Sequence, residues 1–153
     1  MKYLRPAVAT AAALAFSAFA GLAGADGVVK YEIVDDNTIP KPLTSTPGDP
    51  KKGLATAINR KKGNCLACHM APNVDQPYQG KIGPEFAGVA DRWSEAELRM
   101  IVVNAKVNNE DTIMPGFYRA DGLHEVMKKF QGKTILSAQE VEDVVAYLVT
   151  LKE

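Results

Sequence analysis

The clearest periodicity lies near the C-terminus, where Val141, Val144, Val145, Leu148 and Leu151 repeat at helical spacing and Tyr147 sits one turn from Val144. Leu136-Ser137-Ala138-Gln139-Glu140-Val141 launches this helix, with Ser137 and Glu140 spaced as a capping box. The same device stands at Trp93-Ser94-Glu95-Ala96-Glu97-Leu98 and predicts a helix ending near Ala105, with Trp93 stapled to Leu98. An earlier helix is predicted from Asp49, an N-cap, through Pro50 at the first helical position to about Lys61. Its apolar face carries Leu54, Ala57 and Ile58, and Gly53 leaves room for another element to approach its backbone. Gly122 to Phe130 reads as a further short helix, and Val28 to Val34 alternates enough for one short strand. No other segment reads as sheet, so the expected class is all-α.

Composition alters this picture at the N-terminus. Lys2 and Arg5 precede an Ala-rich apolar stretch, and Ala23-Gly24-Ala25 fits a cleavage signal, so residues 1–25 read as a secretory signal peptide. The rival is a retained membrane anchor, because Pro6 to Ala25 is uncharged and nearly long enough to span a bilayer. Residues 26–48 read as an extended N-terminal arm, proline-rich at Pro40, Pro42 and Pro47, either wrapping a domain or partner or left as a solvated tail. Residues 49–153 form the remaining domain. The chain carries 18 basic and 18 acidic residues, a balance that offers nothing to nucleic acid. Removing the signal takes Lys2 and Arg5 with it and leaves about −2, with no membrane insertion and a periplasmic location.

Two cysteines are too few for a disulfide framework, and they stand in Cys65-Leu66-Ala67-Cys68-His69. Thiols three residues apart project from one turn and can add to the two vinyl groups of a haem, with the next residue presenting imidazole to the iron. A thioredoxin-like reading lacks its βαβ setting, and a zinc site of Cys65, Cys68, His69 and the remote His124 is poorly spaced. One covalent haem c per chain is therefore expected, attached at Cys65 and Cys68 and ligated by His69.

For the opposite axial position the candidates are Met100, Met114, Met127 and His124, since Met70 directly follows the proximal ligand. Met100 and Met127 occupy helical settings suited to a core, and His124 suits a solvated helix. Met114 stands in Ile113-Met114-Pro115-Gly116-Phe117-Tyr118, a loop able to present a thioether, and is preferred. Metal-bound histidines usually donate their second N–H to a carbonyl, and the Gly83-Pro84 loop makes Pro84 the candidate acceptor. Arg92 and Trp93 follow closely and are candidate donors to a haem propionate.

A helix before C-x-x-C-H, a Gly-Pro loop after it, a Met-Pro loop and a closing amphipathic helix resemble a class I cytochrome c over about residues 49–152. Ile39-Pro40-Lys41-Pro42-Leu43, Pro47-Gly48-Asp49-Pro50, Gly63 to His69, Thr112 to Tyr118 and Ile135 to Glu140 together resemble the SoxX family. The resemblance implies a small electron-transfer subunit, itself non-catalytic, of a periplasmic SoxAX-type L-cysteine S-thiosulfotransferase. It further implies a larger SoxA-type cytochrome as partner, thiosulfate coupled oxidatively to a cysteine of the carrier SoxYZ, and a downstream electron acceptor. The competing expectation is a free soluble class I cytochrome shuttle. Independently of the resemblance, both cysteines are consumed by haem attachment, so persulfide chemistry requires another chain. Filling both axial positions likewise leaves electron transfer as the chemistry of this one.

Overall fold

A computed structural model describes residues 28–153; the signal peptide expected at 1–25 lies outside the described residues. Four helices organise them: α1 (Pro50–Ile58), α2 (Val89–Arg92), α3 (Glu95–Asn104) and α4 (Ala138–Leu148). Single 3-10 turns occur at Cys65–Ala67, Ala105–Val107 and Lys128–Phe130. No helix among the described residues is long and apolar enough to cross a membrane.

Local chemistry starts the long helices where the sequence places them. The Asp49 side chain accepts the Lys51 and Lys52 N–H groups, with Pro50 at the first helical position. Ser94 with Glu97 and Ser137 with Glu140 each complete a reciprocal capping box. Hydrogen bonds from the Ser94 hydroxyl and N–H hold the Glu97 carboxyl below its usual range. Burial acts to raise Glu140, but bonds from Ser137 and Lys62 outweigh it and the net shift is downward. These contributions are present above the unfolded carboxylate pKa and fade as pH falls through the folded value.

Packing is dominated by α1 against α4. A Cβ at Gly53 would stand 1.9 Å from the Asp143 carbonyl oxygen, and one at Gly48 would stand 2.1 Å from that of Glu142, so the backbones meet where no side chain fits. Around the crossing, Val141, Val144, Val145, Tyr147 and Leu148 of α4 are buried with Ala57 of α1, and Leu54 and Ile58 pack against them. Burial of each large apolar side chain contributes roughly 1.5–3 kcal/mol.

The arm belongs to this core. Ile39 is 1% exposed and Leu43 6%, and the Ile39 N–H donates to the Ala96 carbonyl of α3. Arg99 of α3, 1% exposed, donates from Nε and one terminal nitrogen to Glu142 of α4, and from its other nitrogen to the Ile39 carbonyl. Glu142 also accepts the Leu43 N–H at 2.8 Å, and Asp143 accepts that of Asp49 at 2.8 Å. Burial alone would lower the Arg99 pKa, but the bonds and charges of Glu142 and Glu95 outweigh it and raise it. Each buried charge thus has partners, without which it would be strongly destabilising.

Four expectations need correction. α1 ends at Ile58 rather than Lys61, because Asn59 turns extended. Residues 28–34 form no strand; Val34 makes only an isolated bridge to Thr38 across a turn with Asp35 and Asp36 at positive φ. Alternation found no neighbouring strand to pair with. Gly122 to Phe130 is helical only as the 3-10 turn Lys128–Phe130, since Gly122 and Glu125 both sit at positive φ, which breaks the ladder. Met127, expected in a core, is 61% exposed for the same reason.

Glu142→Ala, which strands the Arg99 charge, should lower unfolding stability by about 3–5 kcal/mol in chemical denaturation. Arg99→Met added to it should cost much less than its single effect, because both changes remove one network.

Candidate functional site

The site is built on the segment leaving α1. Asn64 adopts a left-handed φ of 48°, a conformation asparagine tolerates, and starts the 3-10 turn Cys65–Ala67. The Cys68 and His69 N–H groups both donate to the Cys65 carbonyl, so the two cysteines leave one turn and His69 follows at once. Both are free thiols. Burial pushes the Cys65 thiol up to about 11. No three His, Cys, Asp or Glu side chains converge as a metal-binding group among the described residues, and His124 is exposed on the 119–127 segment.

The loop after the motif is stitched back onto it. Gly80 N–H donates to Leu66, and Ile82 and Gly83 N–H both donate to Cys68. This lays Gly83-Pro84 along the imidazole, where Nδ1 of His69 lies 2.6 Å from the Pro84 carbonyl oxygen. As donor, Nδ1–H leaves Nε2 with its lone pair free for a metal. The ring is stacked on Phe86, centroids 4.8 Å apart, and Phe86 is itself part of the core. Gly83 is required by contact: a Cβ there would stand 2.3 Å from His69 Cε1.

Arg92 and Trp93 stand at the end of α2, just after that loop. The two terminal nitrogens of Arg92 donate to the Ala87 and Glu85 carbonyls, both at 2.7 Å, so Arg92 braces the loop that carries Pro84. Trp93 is the extended C-cap of α2 and 39% exposed. The bracing role of Arg92 was invisible in sequence because its partners are backbone oxygens, although its spacing of five and seven residues from Ala87 and Glu85 allowed it.

Met114 lies partly buried against the core, in a loop held at both ends. Lys106 donates to the Glu110 and Thr112 carbonyls, while Phe117 and Tyr118 N–H donate to Val102 and Val103 at the end of α3. Met100 is fully buried among core side chains.

A family model described as cytochrome c matches residues 51–152. Among solved structures, the crystal structure of SoxXA from P. pantotrophus contains a similar chain at 41% identity and a TM-score of 0.76, covering 83% of this chain and 98% of that one. No curated protein matches the sequence. The cofactor of this family is covalently bound haem c, one per chain here. Two free thiols on one turn, an imidazole with one nitrogen engaged, and a thioether on a braced loop fit that group's donor chemistry.

Gly83→Ala should displace the imidazole from Pro84, seen as a changed haem absorption spectrum and a lower thermal midpoint. Lys81→Ala, at an exposed position of the same loop, should change neither.

Proposed function

Because the chain belongs to the cytochrome c family and is a SoxX-type member of it, we propose that it is the electron-transfer subunit of a periplasmic SoxXA-type complex. Cys65 and Cys68 would attach the haem, and His69 and Met114 would hold its iron. The observation that carries the reading is the His69 imidazole, pinned by Pro84 and Phe86 directly after two free thiols on one turn. When bound, the haem supplies a one-electron iron couple, which a thioether ligand biases towards the ferrous state.

The residues divide the work around that couple. His69 is held at Nδ1 by the Pro84 carbonyl, which fixes the ring orientation that presents Nε2. Lys106, Val102 and Val103 hold the Met114 loop in one arrangement, which limits structural change between oxidation states. Phe86, itself part of the core, covers one face of the imidazole. With both thiols taken by thioethers, no nucleophilic sulfur remains on this chain. A cysteine that carries sulfur would therefore lie on the larger SoxA-type partner, where thiosulfate would be oxidatively joined to the SoxYZ carrier, and this chain would hold the haem whose couple serves a downstream acceptor.

A subunit rather than a free shuttle is supported by the surface beside the site. Ile82, two residues before Pro84, is 72% exposed, and Ile113, adjacent to Met114, is 75% exposed. Isolated apolar side chains are ordinary on surfaces, but these two flank both loops that serve the ligands, where a permanent partner would cover them. The arm contributes differently from a detached tether, because its Ile39 and Leu43 are already spent on this chain's own core.

Intact mass of periplasmic protein should give a chain starting at about Asp26 and carrying one haem; a mass without haem would overturn the attachment. Met114→Ala should remove the sulfur-to-iron charge-transfer band and lower the reduction potential, and Met100→Leu should leave both unchanged. Ile82→Asp with Ile113→Asp should reduce co-purification of the larger cytochrome at least about tenfold, the effect of roughly 1.4 kcal/mol at an interface, with an unaltered haem spectrum. Undiminished co-purification would place the partner elsewhere.

A further inference from the structure

Two buried side-chain polar atoms lack a hydrogen-bond partner among the described residues, Asn104 Oδ1 and the Tyr147 hydroxyl. Tyr147 is the more telling, because the residue is 6% exposed and a phenol seldom enters a core without an acceptor for its hydrogen. The contrast is internal: the Tyr118 hydroxyl oxygen, in a similarly buried residue, accepts the Val29 N–H at 2.8 Å, whereas that of Tyr147 neither donates nor accepts.

The surroundings of Tyr147 indicate what completes it. A Cβ on Gly53 would stand 2.8 Å from the Tyr147 Cβ, so the ring starts at the crossing, on the side facing α1. The chain leaving α1 doubles back over the same helix. A Cβ on Gly63 would stand 3.1 Å from Cys65 Sγ and 3.4 Å from the Ala57 Cα, so the Cys65 sulfur lies near the buried face of α1. Burial first, and then the interaction with Cys65, raises the Tyr147 pKa, in keeping with this placement. Helix α1 is thus the common wall for an unpartnered phenol and the first haem-attaching sulfur.

We propose that the Tyr147 hydroxyl donates its hydrogen to the Cys65 sulfur once that sulfur is fixed by its thioether bond, making Tyr147 a positioning residue that ties α4 to the haem edge. A free thiol turns about its own side-chain torsions, whereas a sulfur bonded to the haem is held in one place and offers a lone pair at a fixed position. The positive end of an O–H dipole beside the haem favours the reduced iron, so the hydroxyl raises the reduction potential. This inference rests on Cys65 as an attachment site, and its failure can be told apart from failure of that assignment.

The test is Tyr147→Phe in the mature, haem-loaded chain, which keeps the ring and removes only the hydroxyl. Full haem content with a reduction potential shifted below the parent's, and a lower thermal midpoint, is expected. An unchanged potential in a haem-loaded variant overturns the proposal, whatever the midpoint. An equal or higher midpoint alongside it would show that the hydroxyl is an uncompensated buried group. Tyr118→Phe, at a hydroxyl engaged with the arm, should lower the midpoint and leave the potential alone. If Tyr147→Phe does not accumulate, the parent with ring-labelled tyrosine is read by reduced-minus-oxidised infrared difference spectroscopy. A tyrosine C–O band that moves with the haem's oxidation state is expected, and the absence of any tyrosine band overturns the proposal. A parent lacking covalent haem would remove the Cys65 attachment itself.

Discussion

Two helices remote in sequence can set a fold only if they approach closely, and here the approach reaches backbone contact. At Gly53 and Gly48 there is no space for a single carbon beyond Cα, because carbonyl oxygens of α4 occupy it. That contact fixes where α1 lies, and the chain leaving α1 at Asn59 forms the turn that carries both cysteines and His69. It also sets the depth of Tyr147, whose Cβ lies against Gly53. A substitution at the crossing would reach the site through the backbone without touching a site residue.

The second organising contact is ionic and joins three segments that hydrophobic burial alone would leave loosely registered. Arg99 brings α3, Glu142 brings α4, and the Ile39 carbonyl and Leu43 N–H bring the arm. A buried pair of this kind offers little net stability over an apolar replacement, but its geometry admits one arrangement of its partners. The arm is consequently part of the globule, and α3 is held so that its C-terminal carbonyls receive the Met114 loop.

At the site itself, rigidity comes chiefly from backbone groups. The Gly80–Gly83 loop is bonded to Leu66 and Cys68, Arg92 ties down Glu85 and Ala87, and the outcome is one carbonyl aimed at one imidazole nitrogen. An electron-transfer centre benefits from such bracing, since a ligand sphere that does not rearrange needs little reorganisation when the iron changes charge.

The sequence by itself determined much of this. Its capping residues start α1, α3 and α4 at Asp49, Ser94 and Ser137, because capping is a bond between a side chain and backbone two or three residues away. The spacing of Cys65, Cys68 and His69, and the Pro84 carbonyl opposite the imidazole, were equally legible, as chemistry set by short separations and a rigid proline loop. What lay beyond it depends on which distant residues meet. Alternation at 28–34 meant nothing without a partner strand, and helical spacing at 122–130 yielded to positive φ at Gly122 and Glu125. The proline-rich arm could equally wrap a domain or partner or trail in solvent until Ile39 and Leu43 found their places in the core, and Arg92 turned to carbonyls that no residue pattern encodes. Tertiary structure decided these because burial and long-range hydrogen bonding are properties of pairs far apart in the chain, and a one-dimensional pattern records only one member of each pair.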